Sequence, residues 1–274
     1  MLWYRRLGRP AENIVTHFEK ENVGLCFTRQ LLGDKWQNVF VTDTIIDGCT
    51  VSLKSREWTY IAPLYFYNGK EHKDMLELEF TDKGAKYANF SQNFIQNYIK
   101  KLKFEPTPEE ILAYIYAVLH SASYRTKYIE FLKTDFPAVP MATNEAQFRQ
   151  YASLGQQLID LHLLKNVPDD ADIRVSLGGV DGFFTIKSIS HRGEMLYLET
   201  TEGKTIAYSG VPQAAYDFEI GSYRPIEKWL KYRIKDRVTL DIADLNHLKQ
   251  MLIAIKQTIE VMAEIEKVGE LSQR

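Results

Sequence analysis

The sequence has few cysteines, no long apolar run and no strong excess of charge of either sign. Only Cys26 and Cys49 occur among its 274 residues, which is too few for a disulfide framework and typical of a reducing compartment. No apolar run approaches the ~18 residues of a membrane-spanning helix. No apolar stretch follows the arginine pair of MLWYRRLGRP, so a secretory signal is missing. We therefore expect a protein without a membrane partner that stays in the cytoplasm.

The motifs of common catalytic and metal sites are also missing. The segment GGVDG at 178–182 lacks the Lys-Ser/Thr of a phosphate loop and does not match GxGxxG. The six histidines are scattered, and no GxSxG nucleophile elbow occurs. We therefore expect no catalytic residue, no metal site and no cofactor in this chain.

The composition is that of a globular protein, with 45% hydrophobic and 26% charged residues. The net charge of −2 does not demand a polyanionic partner. A nucleic-acid surface would therefore have to come from local segregation of positive charge.

The period of the hydrophobic pattern changes along the chain. From Val23 to Tyr67 the hydrophobic runs are short and β-like, and residues 68–91 look like a polar loop. The period is that of a helix from Ser91 to Leu164, and from Ile173 onward it returns to two residues, the period of a strand. A long helix is predicted from near Asp241, with a seam of apolar residues that should dock on the chain's own core: Leu245, Leu248, Leu252, Ile255, Ile259 and Met262. The prediction is an α+β fold with a β-rich N-terminal part, central helices, an antiparallel β-rich part and a long C-terminal helix. The expected division is 1–90 and 91–274.

Basic and aromatic residues are concentrated in three places. The first is LHSASYRTKY, where Tyr124, Arg125 and Lys127 follow an apolar helix, although a solvated helix face also explains them. The second is a hairpin with Lys187, Ser190 and Arg192, followed by Lys204, and it is either a solvated tip or a β-ribbon of the kind that enters the major groove of DNA. The third is a run of basic residues between 224 and 237, which would suit phosphates or dock a helix on the core.

These stretches resemble the C-terminal specificity region of type ISP restriction-modification enzymes. YIYAVLHSASYRTKYIEFLKTDFPAVP at 114–140 is similar to the family phrase YxxxVLHSPxYRxxYxxxLKxDFPRxP. RPAENIVTHFEKENVGLCFTRQ, near the start, and the segment from FEIGSYRPIEKWLKYRIKDR through the last helix resemble two further family phrases, so the resemblance covers nearly the whole chain. The chain departs from the pattern at Ala122, Ala138 and Ser222, where Pro, Arg and Gly are usual.

The resemblance implies a DNA target-recognition domain that reads a short asymmetric duplex sequence. An attached adenine methyltransferase and helicase-nuclease would be its partners in the same enzyme, and S-adenosylmethionine, ATP and Mg²⁺ would belong to those other domains. The family's glycine-rich and Asn-Pro-Pro-Tyr motifs do not occur here, which predicts a non-catalytic specificity part. The predicted DNA-binding residues are Arg29, Tyr124, Arg125, Lys127, Lys187, Ser190, Arg192 and Lys204.

Two other functions remain open from the sequence. One is a protein-interaction module that does not bind DNA. The other is a complete methyltransferase with unrecognised motifs. In the first reading, the basic-aromatic clusters would face a partner protein.

Overall fold

The structure is a computed structural model that describes residues 12–31, 33, 35–50, 57–67, 75–81, 84–221, 223–269 and 271. The first eleven residues, which open one of the family-like segments, and Ser222 lie outside this range. The chain forms two compact units, which are residues 1–159 with 262–274, and residues 160–261. We call them unit 1 and unit 2. The predicted division after residue 90 stays a prediction.

Unit 1 contains two three-stranded antiparallel sheets. Strands β1 (Gly24–Thr28), β2 (Val39–Thr42) and β3 (Thr59–Pro63) form one sheet, in the order β2-β1-β3. Strands β4 (Tyr65–Tyr67), β5 (Met75–Thr81) and β6 (Gly84–Ser91) form the other, in the order β4-β6-β5.

The polar loop predicted for residues 68–91 is wrong over 75–81 and 84–91, because β5 and β6 form a hairpin there, and its first part, residues 68–74, lies outside the described residues. The segment MLELEF alternates apolar and charged residues, which is the period of a strand. Its high content of charged residues concealed this alternation.

The helices of unit 1 begin with α1 (Glu12–Val15) and a 3₁₀ turn at Thr16–Phe18. The central helices are α2 (Gln92–Leu102), α3 (Pro108–His120), α4 (Ala122–Lys127), α5 (Ile129–Leu132) and α6 (Glu145–His162). Thr107 caps α3 as predicted, since its hydroxyl accepts from the Glu110 N–H while the Glu110 carboxylate accepts from the Thr107 N–H. Buried residues lie on more than one face of α3, so this helix forms the centre of the unit's core.

Unit 2 is built on one four-stranded antiparallel sheet. The strands are β7 (Arg174–Ser176), β8 (Ile186–Arg192), β9 (Met195–Thr200) and β10 (Thr205–Ser209), in the order β7-β10-β9-β8. The helices are α7 (Gln213–Tyr216), α8 (Pro225–Lys235) and α9 (Ile242–Lys267). The boundaries between the two units fall inside α6 and near the end of α9.

One face of this sheet packs on the core of unit 2. Leu196, Leu198 and Ile206 are fully buried there beside Leu248 and Leu252 of α9. The N-terminal part of the apolar seam of α9 thus docks on the chain's own core, as its spacing predicts.

The α+β fold class and the long C-terminal helix are confirmed. Within the described ranges, no helix is both long and apolar enough to cross a membrane.

Candidate nucleic-acid interface

The other face of the unit 2 sheet is polar and accessible. In β9, Leu196, Leu198 and Thr200 are buried, while Tyr197 and Glu199 between them are only partly buried. Successive side chains of a strand point to opposite faces, so Tyr197 and Glu199 lie on the face away from the core. We call this side of the sheet the outer face.

A β-bulge in β8 brings additional polar residues to the outer face. Ile186 pairs with Thr200 and Ser188 pairs with the next residue of β9, Glu199, so Lys187 is the extra residue between them. Because of this insertion, Ile186 and Ile189 both face the core although they lie three positions apart. Ser188 and Ser190 therefore project from the outer face opposite Glu199 and Tyr197.

A shallow groove of about 240 Å³ runs over the outer face. It is lined by Ser188, Ser190, Arg192, Tyr197, Glu199 and Thr205. Arg192 lies at the end of β8, just before the two-residue turn in which Gly193 has a φ of 60°. Arg192 is exposed and forms no ion pair within the part of the chain that the structure describes. The groove therefore combines a guanidinium, hydroxyl groups, an aromatic ring and one carboxylate.

The charges of this groove are partly paired. The Ser188 hydroxyl donates to Oε2 of Glu199 at 2.7 Å, and Nζ of Lys187 lies 3.6 Å from Oε1 of the same carboxylate. The hydrogen bond from Ser188, followed by the positive charge of Lys187, lowers the pKa of Glu199. Lys187 itself is 65% exposed. Its ammonium remains accessible to a ligand.

Two hairpin residues occupy other positions. His191 pairs with Leu196 on the core side, bonds through Nε2 to the Val211 carbonyl at 2.8 Å and stacks on Tyr216. Lys204 lies in the turn before β10, opposite the buried Thr200, with its ammonium 3.6 Å from Glu202. Neither lines the groove. Of the four predicted unit 2 residues, the structure brings Ser190 and Arg192 into the groove and places Lys187 beside it.

The predicted residues of unit 1 lie in a different environment. Tyr124 is buried and donates through its hydroxyl to the Ala138 carbonyl at 3.0 Å. Arg125 donates from Nε to the Leu119 carbonyl at 2.6 Å, and its guanidinium lies over the ring of buried Trp36. Burial lowers the pKa of Arg125 to about 10, so the side chain stays charged at neutral pH. These contacts tie α4 to the end of α3, and the DNA-binding role of both residues stays a prediction.

Arg29 and Lys127 are exposed residues of unit 1. Arg29 donates to Asp135 at 3.3 Å and its guanidinium lies 5.3 Å from the centre of the Phe136 ring. Lys127 is at the end of α4, with its ammonium 5.9 Å from the centre of the Tyr128 ring. Both side chains are accessible to a ligand, although each already interacts with a neighbour, Arg29 with Asp135 and Phe136 and Lys127 with the Tyr128 ring.

The segment LHSASYRTKY also borders a cavity of about 450 Å³. The Glu266 carboxylate closes one side of it, where it accepts hydrogen bonds from the N–H groups of Ala122 and Ser123 at 2.7 and 3.2 Å. A carboxylate in this position satisfies the first N–H groups of α4. The segment is thus a junction between α3, α4 and the end of α9.

Several positive charges of the basic run on α8 are paired within unit 2. Arg224 contacts Asp217 at 2.8 Å, and Lys231 contacts Glu227 at 2.7 Å. The guanidinium of Arg233 stacks on Trp229 at 3.3 Å from the ring centre. These contacts fit the interpretation of α8 as a helix docked on the core.

Four of the six residues that line the groove are absent from the predicted DNA-binding set, namely Ser188, Tyr197, Glu199 and Thr205. The signal was present in EMLYLET, where leucines alternate with a tyrosine and a glutamate. Once the leucines are assigned to the core, the residues between them must lie on the outer face.

Comparison with known proteins gives a family and a fold. A family model described as the type ISP C-terminal specificity domain matches residues 1–264. Similar solved structures include the ATP-dependent type ISP restriction-modification enzyme LlaBIII bound to DNA, with a TM-score of 0.65, 20% identity, and coverage of 93% of this chain and 16% of that one. No curated protein matches the sequence.

Two further structures are similar over the same share of the chain. A nuclease-deletion mutant of the type ISP enzyme LlaGI with a DNA substrate mimic has a TM-score of 0.60, 19% identity, and coverage of 93% of this chain and 22% of that one. A DrdV–DNA complex has a TM-score of 0.61, 19% identity, and coverage of 93% and 25%. At these identities the likeness shows a shared fold, and this chain spans a quarter or less of each of the three matched chains.

Proposed function

The chain belongs to the type ISP C-terminal specificity domain family, and from this premise we propose that it is a DNA target-recognition domain. It reads a short asymmetric duplex sequence and holds the duplex while an attached methyltransferase flips out an adenine. The three similar structures are described as enzymes in complex with DNA or a DNA mimic, which supports DNA as the partner.

The outer face of the unit 2 sheet is the observation on which we base the position of the DNA site. It combines Arg192, Ser190 and Glu199 on an edge hairpin whose opposite face is anchored in the core. A two-stranded ribbon fits the major groove, where arginine donates to guanine N7 and O6 and hydroxyl groups pair with either donors or acceptors. Lys187 and, in unit 1, the exposed Arg29 and Lys127 would contact phosphates and set the register.

The chemistry of the enzyme belongs, in this proposal, to other domains. This chain supplies specificity without catalytic residues of its own, and the methyltransferase and helicase-nuclease domains hold S-adenosylmethionine, ATP and Mg²⁺. The specificity-domain assignment supports this division of labour. The proposed place of action is the cytoplasm.

Selection from a pool of randomised duplexes tests the proposal. The chain is mixed with the pool at two salt concentrations, and the retained duplexes are sequenced. We expect enrichment of one short asymmetric motif. Retention that depends on salt without enrichment would limit this chain to phosphate contacts. No retention at either salt concentration would contradict DNA recognition by this chain and favour a protein-interaction module.

Substitution of the two basic residues of the hairpin separates the kinds of contact. Arg192→Ala should relax the preference at one position of the motif, with a loss of about 1–3 kcal/mol for the best duplex. Lys187→Ala should weaken the binding of all duplexes alike and reduce the salt dependence. Lys100→Ala, an exposed lysine on α2, is the matched control. Unchanged affinity and preference in both hairpin variants would exclude this hairpin from the interface.

A further inference from the structure

Glu199 has an unusual position for an acidic residue on a surface assigned to a polyanion. It lies in the outer-face groove, between Ser188 on one neighbouring strand and Thr205 on the other. Its side chain is 46% exposed, so a ligand in the groove can reach it. Next to a phosphate this carboxylate would repel the ligand, and the repulsion would weaken binding to every sequence.

The carboxylate is held in place but keeps hydrogen-bonding capacity. Two carboxylate oxygens offer about four lone-pair positions. The described contacts are one hydrogen bond from the Ser188 hydroxyl to Oε2 and one longer ion pair from Lys187 to Oε1. Together they fix the carboxylate as a negatively charged acceptor, and its lowered pKa is in keeping with this state.

Only one kind of group on a duplex suits such an acceptor in the major groove. Cytosine N4 and adenine N6 present amino donors there, whereas guanine and thymine present acceptors that a carboxylate repels. The strand pairing that places Glu199 beside Ser188 also places Tyr197 beside Ser190, so the groove offers a continuous polar surface to successive base edges.

We propose that Glu199 is a specificity-determining residue that accepts a hydrogen bond from the exocyclic amine of a cytosine or an adenine. It also rejects guanine and thymine at that position on the same strand. Ser188 and Lys187 are positioning residues for the carboxylate. This inference rests on the proposed function, and it assigns Glu199 to a base edge instead of a phosphate.

The test compares the base preferences of Glu199→Gln and the unaltered chain in selection from randomised duplexes. An amide has the shape of the carboxylate but also donates, so it tolerates guanine O6 and thymine O4. We expect one position of the selected motif to be cytosine or adenine in the unaltered chain and to lose that preference in Glu199→Gln. The discrimination at that position should fall by about 5- to 150-fold.

A base analogue checks the same contact from the DNA side. At the affected position, cytosine is replaced by pyrimidin-2-one, or adenine by purine, so that only the amino group is lost. This change should weaken binding to the unaltered chain and have a smaller effect on Glu199→Gln, because the amide oxygen accepts from the amine without the help of a negative charge. Glu202→Gln is the control, because Glu202 is 63% exposed and does not line the groove. It should leave the motif unchanged.

Three outcomes would overturn the inference. An identical motif from Glu199→Gln and the unaltered chain would mean that no base is read by Glu199. Tighter binding of all duplexes by the variant, with the motif unchanged, would mean that the carboxylate faces phosphates. Both leave the proposed function standing. Failure of the unaltered chain to select any motif would remove the proposed function and this inference together.

Discussion

Lys256 on α9 pairs with two carboxylates of the loop that precedes β7. Its ammonium lies 2.8 Å from Asp170 and 3.1 Å from Asp172. Burial raises the pKa of Asp170, but the hydrogen bond and positive charge of Lys256, together with backbone hydrogen bonds from Asp172 and Ile173, outweigh it, so the net pKa is lowered. The same hydrogen bond raises the pKa of Lys256. The aspartate therefore contributes stability that is lost as the pH falls through its folded-state pKa, and the lysine contributes stability that is lost as the pH rises through its own.

Replacement of Asp170 by asparagine should lower the free energy of unfolding at pH 7 by about 1–3 kcal/mol, because the side chains of Asp170 and Lys256 are mostly buried. The difference should begin to shrink below about pH 4, where the carboxyl of the unfolded chain becomes protonated, and should shrink further as the pH falls through the lowered pKa of the folded state. Urea unfolding of both chains at pH 7 and at pH 3 measures this difference in the free energy of unfolding. Asp169→Asn is the control, because Asp169 is 86% exposed and its ion pair with Lys249 contributes little. An equal loss at both pH values would contradict the prediction.

At the scale of single residues, sequence locates polar clusters but does not show which of their members are buried. Arg125 and Lys127 stand two positions apart in LHSASYRTKY, yet one lies over Trp36 inside unit 1 and the other is exposed. The direction of a helical side chain depends on its neighbours in three dimensions. For the hairpin, the polar cluster in the sequence predicted Ser190 and Arg192. The alternation of EMLYLET suffices to place Glu199 on the outer face, but its position opposite Ser188 depends on the register of β8 against β9.

The contact between α3 and α6 depends on one glycine. A Cβ atom at Gly155 would lie 1.8 Å from the carbonyl oxygen of Ala113, so the backbones approach more closely than any side chain allows. Gly155→Ala should therefore destabilise unit 1 by at least about 1–3 kcal/mol, because α3 must move. Thermal unfolding followed by circular dichroism measures the loss. Gln157→Ala, an exposed position on the same helix, should have little effect, and a stable Gly155→Ala variant would show that the two helices separate easily.

At the scale of elements, sequence predicted the helices better than the β-rich regions. The capping box at Thr107 and the 3.6-residue period sufficed for α3, since both signals are local. The β5–β6 hairpin was missed because its strands are rich in charge. The bulge at Lys187 is not visible in sequence at all, since it depends on the register of β8 against β9.

The long C-terminal helix is the element that closes unit 2. Leu245, Leu248 and Leu252 are at most 2% exposed and contact the core side of the sheet. Leu252→Asp should therefore unfold unit 2 without dissociating any oligomer, because an unpaired charge in a core is strongly destabilising. Sedimentation and circular dichroism check this together. A folded monomer produced from a native dimer would overturn it.

At the scale of the whole molecule, the function was predicted from the family resemblance, because hydrophobic periodicity indicates only the fold class. The phrases around Tyr114–Pro140 and in the C-terminal part led to the family whose model matches residues 1–264. The boundaries of the two compact units lie inside α6 and α9, and neither a change of composition nor a flexible linker marks such a position.

In unit 2, the residues that stabilise the fold and the residues proposed to bind DNA lie on opposite faces of the sheet. Residues on the core side of β8 and β9 determine whether the unit folds, and those on the outer face contribute little to the core. Substitutions at Ser190, Arg192, Tyr197 or Glu199 are therefore expected to be nearly neutral for folding. Specificity can then diversify by point substitution at small cost in stability. A deletion of the extra residue Lys187 would also keep the two faces apart, because Ile186 and Ile189 would then lie two positions apart and both would still face the core. The strand would lose its bulge and one basic residue beside the groove.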